Sequence, residues 1–84
     1  MGLNMDSQLA WEMIRVSFRA SRQLQDLLSQ LREQCSAEEY KDCAQGIARA
    51  IHGINTALID KALASHPELS RRIEAELAEI GRID

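Results

Sequence analysis

Eighty-four residues bound the chain to one domain, near the lower end of what a single core can hold together alone. An apolar share of 45 %, one proline and few aromatics fit an all-α fold, and two cysteines are too few for a disulfide scaffold. A formal charge of −3 argues against a generic binder of nucleic acid or anionic membrane, and no apolar run approaches the ~20 residues of a membrane span.

The opening MGLNMDSQ has no basic segment leading into an apolar one, so a secretory signal is not expected. Asp6 stands where N-myristoylation wants Ser or Thr. These features point to a cytoplasmic chain with reduced thiols.

The first helix is expected from Asp6 or Ser7 to Gln34. Leu9, Met13, Val16, Ala20, Leu24, Leu27, Leu28 and Leu31 recur along it at helical spacing. Off that seam, Trp11, Arg15, Phe18 and Arg22 follow at i, i+4, i+7 and i+11. Aromatics set among arginines are the composition of interface hot spots, so these four are candidate partner-binding residues. In the plainer alternative the aromatics cover a dimer or third-helix contact and the arginines snorkel around them. Together with Arg19 this is also the one locally basic stretch, where a nucleic-acid-binding regulator would find its cations.

SAEE opens the second helix. Ser36 as N-cap and Glu39 three residues on form a capping-box signature, and the helix should run unbroken from Ala37 to about Ala64. The Cys35–Ser36 link is too short for anything but an antiparallel hairpin. Steps of ~100° per residue sort this helix into stripes. Tyr40, Cys43, Ile47, Ile51, Ile54 and Leu58 form a bulky stripe, with Gly46, Ala50, Gly53 and Ala57 beside it. Both cysteines are expected to act as small buried hydrophobes.

Each interior glycine costs about 1 kcal/mol relative to alanine, which close packing can offset. A Gly/Ala groove lets another backbone come nearer than the usual 8–10 Å. One candidate occupant is a bulky side chain of the first helix around Phe18–Ala20. The other is a second copy, antiparallel, with Gly46 against the partner's Ala57 and Ala50 against the partner's Gly53. Ile47, Ile54, Leu24, Leu28 and Leu31 would supply the bulk around either. A third reading has the glycines merely tolerated.

SHPE repeats the capping device before the third helix: Ser65 as cap, Pro67 in the first turn and Glu68 closing the box. Leu69, Ile73, Leu77 and Ile80 give this helix its apolar side, and Gly81 ends it. Its acids Glu68, Glu74, Glu76 and Glu79 are an available match for the arginines of the first helix. About 14 residues cover only half of a hairpin roughly 42 Å long. The remaining apolar surface needs a partner, and a second copy is the simplest one.

No constellation for chemistry emerges. His52 lies on a polar face beside Arg49 and Thr56, with Cys43 on the opposite side of the helix. The cysteines lack C-x-x-C spacing, and no nucleophile–base pair, phosphate loop or Glu-x-x-His motif is present. No catalytic, cofactor-binding or metal-binding residue is therefore expected, and no small-molecule substrate.

Residues 1–84 are thus read as a single helical domain with helices at about 6–34, 37–64 and 67–80. The fold is a long antiparallel hairpin plus a short C-terminal helix, with a four-helix-bundle core completed by homodimerisation. The expected role is a non-enzymatic protein–protein interaction, regulatory or adaptor module. Small helical-hairpin dimers are common among bacterial regulators and chaperone-like adaptors, but fold-level analogy assigns no function. The alternatives are a small nucleic-acid-binding regulator using Arg15, Arg19 and Arg22, and an accessory subunit whose active site another chain completes.

Overall fold

In the computed structural model, which describes residues 5–83, α1 spans Ser7–Gln34 and α2 spans Ala37–Ile54. A π-helical turn, Asn55–Ile59, joins α2 to α3 at Asp60–Ser65, and α4 is Leu69–Glu79. No strand occurs among the described residues. The result is three helical rods, the middle one composite.

Local chemistry sets the ends of α1 and the start of α2. Asp6 caps α1, its Oδ1 accepting the Leu9 amide at 2.7 Å. After Gln34 the chain turns through two extended residues, Cys35 and Ser36. The Ser36–Glu39 capping box then forms in full. Ser36 Oγ accepts the Glu39 amide at 3.2 Å, and Glu39 Oε1 accepts the Ser36 amide at 3.0 Å. A cap of this kind contributes about 1 kcal/mol.

The second expected box does not form. The residue before a proline is pushed out of the α region. His66 accordingly leaves the helix at φ −138° and ψ 77°, and α3 ends at Ser65 instead of a new helix starting there. Tight i→i+3 bonds carry the corner, from Leu69 N–H to the His66 carbonyl at 3.1 Å and from Ser70 N–H to the Pro67 carbonyl at 3.1 Å. The third rod therefore starts at Leu69, two residues later than the spacing suggests. Its end is as expected. Gly81 takes φ +85°, and its N–H returns to the Leu77 carbonyl at 3.0 Å, the left-handed cap that favours glycine. Beyond it Ile83, which periodicity had not singled out, turns back into the core.

The unbroken second helix is also corrected. The Asp60 N–H reaches back five residues to the Asn55 carbonyl, so one extra residue is accommodated. The Thr56 hydroxyl donates to the His52 carbonyl at 3.0 Å and lies 3.4 Å from that of Gly53. The inward stripe consequently changes phase. Ile47, Ile51 and Ile54 hand over to Ile59 and Ala62, while Leu58, expected in the bulky stripe, is left 38 % exposed.

The core gathers at one end. Ala10, Trp11, Ile14, Ala62, Leu69 and Ile83 form it, with Phe18, Leu63 and Ile73 packed alongside. The small pair Ala10 and Ala62, both fully buried, sits where α1 meets α3. Ser17 is buried with them, and its hydroxyl donates to the Met13 carbonyl at 2.7 Å. Towards the hairpin tip burial thins: Cys35 is half-buried and Cys43 exposed, against the expectation of two buried thiols. The radius of gyration is 15.2 Å, against roughly 12 Å for a compact chain of this length. With Cα extents of 45 × 35 × 13 Å, the molecule is a plate.

Candidate interaction face

On α1, Ala10, Ile14 and Ser17 point into the hairpin. To one side of that stripe lie Trp11 and Phe18, which pack with α4 and Ile83. To the other side lie Leu9, Val16 and Leu27, 58 %, 48 % and 40 % exposed. Their spacings of seven and eleven residues hold them within about 20° of one line.

The same division runs along α2. Ile51 and Asn55 share a groove with Phe18, Leu77 and Ile83, which places that flank on the α4 side of the plate. Gly46, Ala50 and Gly53 fall on the opposite flank of the Ile47–Ile54 stripe. The leucine–valine ridge of α1 and the small-residue strip of α2 therefore lie on one face, away from α4. None of these residues carries a charge.

Nothing among the described residues fills the strip. A Cβ built on Gly46 or Gly53 would meet no atom within 4 Å, so the reading in which a side chain of α1 occupies the notch is overturned. The small residues buried in the core are Ala10 and Ala62 instead. Ala57 lies within the π turn, so it departs from the straight line of the other three. Leu24, Leu28 and Leu31 are half-buried along α1, Ile54 is half-buried on α2, and Ile47 is buried.

Measured against known protein families, curated proteins and solved structures, the chain matches none.

The Trp11–Arg22 patch is mostly internal. Trp11 is buried in the core, and the Arg72 guanidinium lies 4.1 Å from its ring centre. Phe18 is half-buried against the same core. Arg22 donates to the Ile83 carbonyl at 2.9 Å, and Arg15 pairs with Glu12 at 2.7 Å. The aromatics thus cover a contact with the third rod, and Trp11 is not an exposed anchor. The expected acidic match from α4 takes another form, since it is a cation, Arg72, that stacks there. Glu76 lines the same cleft as Arg15.

His52 is exposed, and the described residues hold no group of three or more His, Cys, Asp or Glu able to hold a metal ion. No helix among them is long and apolar enough to cross a membrane. Three groups have shifted proton affinities. The Ser36 amide, then its hydroxyl, holds Glu39 below the usual carboxylate range. Glu68 is held low by its own backbone amide and then by the His66 ring. The Met5 carbonyl, then the Glu68 carboxylate, raises His66 above the usual imidazole range. A sequence reading that took His66 for part of a helix start could not find these partners.

Proposed function

We propose that the protein is a non-enzymatic protein–protein interaction module that works as a homodimer. In this reading two hairpins meet through the apolar ridge of α1 and the small-residue strip of α2, forming a four-helix layer with the α4 limbs on its outer sides. Gly46, Ala50 and Gly53 supply the groove, and Leu9, Val16 and Leu27 supply the bulk.

The observation that carries this reading is the bare plate itself. The chain exposes 6140 Å², whereas a compact monomer of 9.5 kDa exposes roughly 5,000 Å². The surplus is comparable to the ~800 Å² per partner that a standard interface covers. A leucine–valine ridge beside a strip that no described side chain fills supports an isologous pairing, in which the same patch is used on both copies.

Sedimentation equilibrium at micromolar concentration tests the proposal. The native chain is expected to be a dimer, and Val16→Glu a monomer with unchanged helix content. Val16 is half-exposed within the chain, so the carboxylate harms only what docks there. A monomeric native protein, or a Val16→Glu dimer of undiminished strength, would overturn it.

A further inference from the structure

The α3–α4 corner carries a relationship independent of the dimer face. With His66 turned out of the helix by Pro67, its ring reaches the segment before α1. Nε2 lies 2.6 Å from the Met5 carbonyl oxygen, and Nδ1 lies 3.0 Å from Glu68 Oε1. A carbonyl and an ionised carboxylate only accept hydrogen bonds. A neutral imidazole has one N–H to offer, whereas an imidazolium has two. Only the charged ring satisfies both partners.

We propose that His66 is a pH-sensitive clasp, which as imidazolium ties the lead-in of α1 to the α3–α4 corner and on deprotonation loosens α4 from Trp11. The charged groups facing the ring are Glu68, on its own corner, and Asp6, the N-cap of α1. Both favour the cation. The side chain is 23 % exposed, so its proton exchanges with solvent.

Deprotonation acts on one bond first. The shorter contact, to Met5, keeps the N–H on Nε2, and the Nδ1 proton passes to water. The Nδ1 lone pair then faces the lone pairs of Glu68, and the carboxylate moves off. Glu68 immediately precedes Leu69, the buried first residue of α4. One turn further, Arg72 stacks on Trp11. A displaced Glu68 therefore disturbs the segment that closes over Trp11, and the Met5 side chain, which packs on the same core, lies at the other end of the clasp.

Trp11 is the only tryptophan, which makes its fluorescence a direct reporter. The full chain is titrated from about pH 5 to 9, the histidine window, following Trp11 emission and the His66 ring signals by NMR. Both are expected to change together, with a midpoint above histidine's ordinary 6.5. In His66→Gln the fluorescence transition disappears. In Glu68→Gln, a surface change that leaves helix content intact, the His66 midpoint moves down. A His66 midpoint at or below 6.5 overturns the clasp. So does a Trp11 transition that persists in His66→Gln, or a His66 titration to which Trp11 does not respond.

Discussion

The Arg72 guanidinium lies over the face of Trp11, 4.1 Å from the ring centre, and joins α4 to α1 beside the core. A cation at this distance from an indole contributes about 0.5–1 kcal/mol at an exposed site. Arg72→Ala should lower stability by about that amount and move Trp11 emission to longer wavelength as water reaches the ring. Arg72→Lys should recover only part of the loss, because a point charge cannot stack as a planar guanidinium does. Chemical denaturation followed by fluorescence measures both effects.

Gly46 separates the needs of one chain from those of a pair. Its missing Cβ has no neighbour within 4 Å, so Gly46→Ala should stabilise the isolated chain by up to about 1 kcal/mol through helix propensity. In the proposed dimer the same methyl would enter the groove, and a cost of about 1.4 kcal/mol there would weaken association about tenfold. Melting of dilute protein and sedimentation of concentrated protein should therefore respond in opposite directions.

The chain turn at Gly81 should be intolerant of a side chain. At φ +85°, Gly81→Ala places an L-residue in left-handed backbone, a penalty of roughly 1–2 kcal/mol. Ile83→Ala leaves the turn intact and empties a buried site, at a cost of about 2–5 kcal/mol. The double variant should lose less than the sum, because the strained turn has less to return to the core. Urea unfolding of the three variants measures the coupling.

Stability should hold a plateau between two carboxylates and one histidine. Glu39 and Glu68 have lowered proton affinities, so their contribution is complete above an ordinary 4.5 and is lost as pH falls through their folded values. His66 is raised, so its contribution is complete below 6.5 and is lost as pH rises through its folded value. Melting temperature should therefore be flat between these limits and fall on both sides. His66→Gln should remove the alkaline decline and leave the acid one.

Local devices were legible in the sequence, and contacts between distant segments were not. The Ser36–Glu39 box and the Gly81 stop depend on residues within one turn, so spacing alone reveals them. The same spacing misleads at Ser65–Glu68, where Pro67 and a tertiary bond to Met5 decide the backbone. The π turn has only an indirect signature, the change of apolar phase between Ile54 and Ile59. Spacing leaves Trp11 open between an exposed anchor and a cover for the third helix until the position of α4 is known, and nothing local to Trp11 announces Arg72. The small-residue strip was legible as a groove, but its vacancy within the hairpin needed coordinates.

The π turn also makes the middle rod unusually forgiving of one kind of genetic accident. Removing a single residue between positions 55 and 59 would return the backbone to ordinary helical bonding without breaking the rod. Because the turn absorbs the extra residue, everything downstream would keep its facing, with Ala62 still in the core and the His66 corner still beside Met5. A shortened chain of this kind would remain helical and keep its closed end.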